Sequence, residues 1–172
     1  MDLSKKRLRF MQTERDLTIS VETGYTMNVP HEFKTCFPAT ELAVREALVA
    51  MNSNLKTWQL DETDIGRVEI VLAEALNNVV EHAYALTGGG TIELRLKHTA
   101  DGIDVTVLDS GVPVPVHVFA KRTGPDVNVA TDDLPEGGFG WMLIQHMSSH
   151  LSYQRVGDTN CLRLTVPLDS TD

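Results

Sequence analysis

Apolar and polar residues alternate along several short segments of the chain, and this period of two predicts β-strands. Two of the strands are joined by Asp101-Gly102 and two by Gly157-Asp158, dipeptides that are typical of the tight turns in antiparallel hairpins. The strands predicted in this way span residues 33–37, 91–97, 103–107, 150–156 and 161–166.

Other segments show the helical period of 3.6. A first helix is predicted from about Thr40 to Asn52. A second begins after Asp61, a residue type that favours the N-cap position, and is expected to end at the glycines 88–90. A third follows Gly140. The order strand, helix, helix, hairpin, helix, hairpin predicts an α+β fold with an antiparallel or mixed sheet and helices on one face.

The chain is expected to contain one domain. Residues 1–31 have no readable period and carry Gly and Pro, so we interpret them as an N-terminal extension before a domain at 32–169. The segment 112–136 is rich in Pro, Gly and Asp and is too long for an ordinary connection. We therefore expect it to be functional or mobile.

Composition narrows the class of protein. Of the 172 residues 42% are hydrophobic and 23% charged, and no apolar run is long enough to span a bilayer. The basic N-terminus lacks the apolar stretch of a secretory signal, so a cytoplasmic location is expected. A formal net charge of −9 argues against nonspecific DNA binding. Cys36 and Cys161 lie in strand-like segments and are expected to be reduced, buried thiols.

The second predicted helix has two different faces. Its polar stripe carries Glu74, Asn77, Asn78 and Glu81, which are neighbours on a helix surface. Such a stripe is usually only solvated, but two adjacent asparagines in mid-helix are unusual because Asn is a poor helix former. An Asn oxygen can coordinate Mg²⁺ and a Glu can accept a proton. The apolar face, expected in the core, consists of Val68, Val71, Leu72, Ala75, Leu76, Val79, Val80 and Ala83.

Two glycine motifs follow the helix. In Asp109-Ser110-Gly111 the aspartate leaves a buried strand and the glycine permits a sharp turn, which alone indicates no more than a turn. The segment 136–140, Glu-Gly-Gly-Phe-Gly, stands directly before the third helix. Its backbone N–H groups can approach a phosphate at the positive helix end, although such a segment is as often a flexible connector.

Taken in order, the three motifs resemble those of a known superfamily. EALNNVVEHAY resembles the N-box, DSG the first glycine box and GGFGWMLI the second glycine box of the GHKL ATPases. The likeness is strongest to the bacterial anti-sigma-factor serine kinases and covers roughly residues 33–168. It implies a two-layer α/β sandwich with a mixed, mostly antiparallel sheet, and ATP bound between sheet and helices under a mobile lid.

The resemblance also implies roles for individual residues. Glu74 becomes the general base, Asn78 the Mg²⁺ ligand, and Asp109 the acceptor for the exocyclic amine of adenine. The other nucleotide-binding positions are Gly111, Gly138, Phe139 and Gly140 in the glycine boxes. Lys121 and Arg122 of the lid segment could also reach the phosphates, although two adjacent bases in a long loop are more often solvated.

The chain departs from the family pattern at two places. Pro113 stands where the family has a second glycine and stiffens the entry to the lid. Thr159-Asn160 stands where relatives often have Gly-Thr before the apolar residues of the last strand. The usual threonine contact near adenine is therefore displaced or replaced.

The function implied by the resemblance is that of an ATP- and Mg²⁺-dependent protein serine/threonine kinase acting as an anti-sigma factor. Such a protein phosphorylates an anti-anti-sigma protein with a STAS domain, sequesters a sigma factor and forms a homodimer, without contacting nucleic acid or membrane directly. The alternative is a non-catalytic module of the same fold, in which ATP orders the lid and creates a docking surface.

Overall fold

The computed structural model describes residues 9–13, 16–21, 25–28, 31–85, 89–114 and 138–169. Near the N-terminus, β1 (Arg9–Thr13), β2 (Asp16–Val21) and β3 (Tyr25–Asn28) form an antiparallel sheet in that order. No strand was predicted there. Leu17, Ile19 and Val21 do alternate with polar residues, and this was the available signal.

A second sheet has five strands, which confirm the five predicted from the period of two. They are β4 (Glu32–Pro38), β5 (Thr91–Thr99), β6 (Gly102–Asp109), β7 (Ser149–Val156) and β8 (Thr159–Val166). Their order is β4-β5-β6-β8-β7, and every pairing is antiparallel. Both predicted hairpins are present, at β5–β6 and β7–β8.

Within the described residues, three α-helices accompany this sheet: α1 (Glu41–Leu55), α2 (Glu62–Asn78) and α3 (Gly138–Met147). Asp61 is the N-cap of α2, as predicted, and its carboxylate accepts a hydrogen bond from the N–H of Asp64 at 2.7 Å. Trp58 is buried in a 3₁₀ turn that follows α1. α3 begins at Gly138 and not after Gly140, so the glycine motif forms the first turn of the helix.

α2 ends earlier than predicted. It passes into a π-helical turn over residues 79–83 and stops before the glycines 88–90. The carbonyl of Ala83 accepts a hydrogen bond from the N–H of Val112, at 2.8 Å. A tertiary hydrogen bond therefore holds the helix end before the glycines are reached.

The core lies between the helices and one face of the five-stranded sheet. All members of the predicted apolar face of α2 are buried except Val80, which is half-buried. The sheet contributes every second residue of its central strands, and the alternate residues form a polar outer face. The sheet residues of the core include Ile92, Leu94, Leu96, Ile103, Val105, Val107, Leu162, Leu164 and Val166.

The two cysteines are free thiols, as predicted, but the expectation that both are buried is wrong. Cys36 is exposed, because β4 is an edge strand and Cys36 alternates with the inward-facing Phe37. Cys161 is half-buried. Among the helices that the structure describes, none has both the length and the apolar character needed to cross a membrane.

Candidate functional site

The four polar side chains of the predicted stripe differ in burial in the folded chain. Asn78 is only 9% exposed and Glu74 is half-buried, whereas Asn77 and Glu81 are exposed. Asn77 lines a groove shared with residues of α1. Of the four side chains, Glu74 and Asn78 are therefore the pair directed toward α3.

Gly140 marks the point where α3 meets this pair. A β-carbon at Gly140 would lie 3.4 Å from Cδ of Glu74 and 3.5 Å from Nδ2 of Asn78, with Oε2 of Glu74 closer still. Because residue 140 is glycine, the first turn of α3 approaches the two side chains this closely without displacing the Glu74 carboxylate. That turn also contains Gly138 and Phe139 and carries the positive end of the helix dipole. An anion near Glu74 and Asn78 would meet N–H groups there.

Asn78 has an unsatisfied polar group. Its Nδ2 is buried and makes no hydrogen bond with the residues that the structure describes. Leaving such a group unpaired costs roughly 1–3 kcal/mol, so a bound group is expected to complete it. Rotation of the Asn78 amide group by 180° would exchange its nitrogen and its oxygen. The position can therefore offer an oxygen to a cation or an N–H donor to an anion.

Mg²⁺ fits this environment in one particular way. It is commonly held by one or two protein oxygens together with substrate phosphates. In the described part of the chain, no group of three or more metal-ligating side chains occurs. A single amide beside a helix N-terminus therefore matches an ion shared with a phosphate, and not a cage made by protein alone.

Asp109 lies at the centre of a second candidate site. It continues the inward-facing row of Val105 and Val107 on β6, so a carboxylate that is only 7% exposed lies at the end of an apolar row. Its Oδ1 accepts hydrogen bonds from the N–H of Gly111 and from Nδ2 of Asn160, both at 2.8 Å. Its Oδ2 makes no hydrogen bond within the described ranges and remains an acceptor for a ligand amine.

The turn after Asp109 packs closely against the end of α2. A β-carbon at Gly111 would come within 2.5 Å of the carbonyl oxygen of Ala83. The hydroxyl of Tyr84 accepts from the N–H of Ser110 at 2.9 Å and donates to the carbonyl of Thr91 at 3.2 Å. The segment Asp109-Ser110-Gly111 therefore contacts the C-terminal end of α2 directly.

Three residues of this region were not assigned a role from the sequence. Asn160, 1% exposed, stands opposite Asp109 on β8, at the place where the family's threonine was expected. Tyr153 and Arg155 of β7 hydrogen-bond to Asn160 at 2.8 and 2.6 Å. The sequence held one signal for this contact, the hairpin turn at Gly157-Asp158. In a hairpin with this two-residue turn, Val156 pairs with Thr159 and Arg155 pairs with Asn160.

The remaining predicted positions have different outcomes. Lys121 and Arg122 lie outside the described residues. Pro113 is exposed directly after the Asp109 turn. Glu74, Asn78 and Gly140 come together in one group, and Asp109 and Gly111 in another at the end of the sheet.

This fold, with its two groups of candidate site residues, is that of a histidine kinase-like ATPase domain. The sequence profile of the histidine kinase-like ATPase domain matches residues 37–166. The chain is 34% identical over 114 residues to the serine-protein kinase RsbW of Bacillus cereus. The aligned segment covers 66% of this chain and 69% of that protein. The chain therefore belongs to the histidine kinase-like ATPase family, in its anti-sigma-factor serine kinase branch.

Other similar proteins agree with this assignment. The serine-protein kinase RsbW of Halalkalibacterium halodurans is 39% identical over 47% of this chain and 49% of its own length. The serine/threonine-protein kinase BtrW of Bordetella bronchiseptica is 34% identical over 54% of this chain, which spans 63% of that relative. Over these two relatives, the chain spans about half to two thirds of their length.

A solved structure shares the fold. The crystal structure of the RsbU and RsbW domains of a Mycobacterium tuberculosis protein superposes with a TM-score of 0.57 at 20% identity. The match covers 82% of this chain and 33% of that one. The predicted α+β fold is confirmed.

Proposed function

We propose that this protein is an ATP-dependent protein serine/threonine kinase that acts as an anti-sigma factor. It phosphorylates an anti-anti-sigma protein with a STAS domain and sequesters a sigma factor. The observation that carries the proposal is the approach of Gly140 to both Glu74 and Asn78, which brings a proton acceptor and an amide one helical turn apart to the N-terminus of α3. The names of the RsbW and BtrW relatives support the kinase activity.

Each residue has a separate task in the proposed mechanism. Asp109 accepts the exocyclic amine of adenine at Oδ2, and N–H groups in the first turn of α3 donate to phosphate. Asn78 holds Mg²⁺ through its amide oxygen, and the ion neutralises phosphate charge when bound. Lys121 and Arg122 add positive charge to the phosphates. Glu74 orients the partner's serine hydroxyl and takes its proton on the carboxylate.

We also propose where the protein acts and which proteins it binds. The protein acts in the cytoplasm as a homodimer, and it alternates between a sigma factor and a STAS-domain protein. The likeness to the anti-sigma-factor kinases supports this part.

The experiment compares two substitutions on one face of α2. Glu74→Gln keeps size and hydrogen bonding but removes the base, so Mg-ADP binding survives while phosphoryl transfer falls by about 10²- to 10⁴-fold. Asn78→Ala removes the amide, so magnesium-dependent nucleotide binding and transfer both weaken. Calorimetry with Mg-ADP measures binding, and labelled ATP with a STAS-domain protein encoded beside this chain measures transfer.

α2 and the π-helical turn that continues it offer matched controls. Glu81→Gln and Asn77→Ala make the same chemical changes at exposed positions and are expected to leave binding and transfer as in the wild type. Transfer by Glu74→Gln at the wild-type rate would remove Glu74 as the base. A wild-type protein that binds its partner only with ATP, yet never phosphorylates it, would establish the non-catalytic switch instead.

A further inference from the structure

We propose that Arg155 and Tyr153 are positioning residues that lock the amide of Asn160 and thereby make Asp109 an acceptor selective for adenine over guanine. The inference deepens the proposed function and rests on it, because it concerns the nucleotide expected at Asp109. It assigns a task to two residues of β7 that lie outside the three sequence motifs.

The residues form one row across three strands. Asp109 on β6 is paired with Asn160 on β8, and Asn160 is paired with Arg155 on β7. Directly paired residues of antiparallel strands point to the same face of a sheet. The row therefore lies on the inward face, at the end of the apolar rows that include Val107 and Leu162.

The donors around Asn160 determine which way its amide points. Its Oδ1 accepts from the hydroxyl of Tyr153 at 2.8 Å and from Nη1 of Arg155 at 2.6 Å. A guanidinium has only donors, so it cannot face the amide nitrogen. Nδ2 of Asn160 is thus directed at Oδ1 of Asp109, at 2.8 Å, and at the carbonyl of Gly111, at 3.2 Å.

Tyr153 acts in the same sense as Arg155. Its hydroxyl accepts from the N–H of Val114 at 2.9 Å, so its own proton is available for Asn160. Burial raises the pKa of the Tyr153 phenol, which keeps that proton in place at neutral pH. Both β7 residues also hold the turn that follows Asp109, since Nη1 of Arg155 donates to the carbonyl of Gly111 at 2.9 Å.

Base selectivity follows from this arrangement. With Oδ1 of Asp109 occupied by two donors, Oδ2 is left as the oxygen that accepts from a ligand amine. Adenine has an amine at the position where guanine has a carbonyl oxygen. If Asn160 turned over, its Oδ1 would oppose Oδ1 of Asp109, and this contact between two acceptors would displace the carboxylate from the position that favours the adenine amine.

The experiment measures base preference in the full chain by calorimetry with Mg-ADP and Mg-GDP. Arg155→Met keeps the length of the side chain but removes its donors, and the ratio of the two dissociation constants is expected to shrink by about tenfold or more, as for a lost hydrogen bond to a charged group. Arg155→Lys keeps a donor and is expected to retain most of the preference. Arg163→Met is the control, since Arg163 lies exposed on the outer face of β8.

Tyr153→Phe keeps the ring and removes the donor, so it decides the question if Arg155→Met does not fold. Loss of preference in either variant supports the lock. Equal weakening of both nucleotides, with the ratio unchanged, overturns it and leaves a merely structural role. A wild-type chain that binds no adenine nucleotide overturns the proposed function itself, which distinguishes the two failures.

Discussion

At the scale of single residues, the site depends on Gly140. The group that a side chain at Gly140 would meet first is the end of the flexible Glu74 side chain. Gly140→Ala is therefore expected to displace the carboxylate and not the fold. Transfer should fall by about 10²-fold, the usual effect of a small misplacement, with stability nearly unchanged. The transfer assay and urea unfolding check this.

Gly66 is the matched control. It lies inside α2, where an added β-carbon meets no atom within 4 Å. Gly66→Ala is expected to raise the free energy of unfolding by about 0.5–1 kcal/mol and to leave transfer intact, because alanine favours a helix interior. A normal rate for Gly140→Ala would mean that Glu74 need not stay beside α3.

At the scale of elements, α2 is held differently at its two ends. Its N-terminus is capped locally by Asp61, with Glu62 and Asp64 in the first turn. Its C-terminus is a π-helical turn whose last carbonyl, that of Ala83, is bonded to the segment after Asp109. Turns of this kind are frequent at functional sites, and here the turn joins α2 to the proposed adenine site.

The local cap can be tested separately from the site. Asp61→Ala is expected to lower the free energy of unfolding by about 1 kcal/mol, because the N–H of Asp64 loses its acceptor. Asp61→Asn keeps an acceptor without the charge and should stay close to wild type. Urea unfolding measures both, and equal destabilisation of the two would mean that charge, and not capping, explains the effect.

At the scale of the whole molecule, the end of the described chain is clamped to α2. The Arg67 guanidinium binds the Asp169 carboxylate at 2.6 Å and the carbonyl of Pro167 at 3.0 Å. The N–H of Asp169 donates to the buried carboxylate of Asp64 at 3.1 Å. The hydrogen bond from Arg67 lowers the pKa of Asp169 below its ordinary 3.8. On the outer face of the sheet, Lys34 and then Arg95 lower the pKa of Glu93 below 4.5.

The lowered pKa values of Asp169 and Glu93 affect the pH dependence of stability in the same direction. A carboxyl whose pKa is lower in the folded chain adds stability above its unfolded pKa, and this stability is lost as the pH falls through the folded value. Arg67→Met should therefore lose less stability than wild type between about pH 6 and pH 3. Urea unfolding at both pH values tests this, with Arg163→Met as the control. An unchanged pH dependence in Arg67→Met would exclude the clamp as a source of acid sensitivity.

Local periods and caps in the sequence were sufficient to predict several features of this protein. The five strands of the main sheet, both hairpin turns, the buried face of α2 and the cap at Asp61 each depend on residues close together in the chain. The sequence also placed Glu74 and Asn78 one turn apart, because that spacing is a property of any helix. The short strands β1–β3 have a local signal as well, but it spans too few residues to stand out from the surrounding polar sequence.

Only the tertiary structure decided which of these residues meet. The strand order β4-β5-β6-β8-β7, the approach of Gly140 to Glu74 and the division between Asn77 and Asn78 depend on packing between elements distant in sequence. Asp109 and Asn160 are 51 residues apart along the chain, and no local pattern states that they pair. Periodicity shows which face of an element is buried, but the partner on that face is determined when the whole core packs.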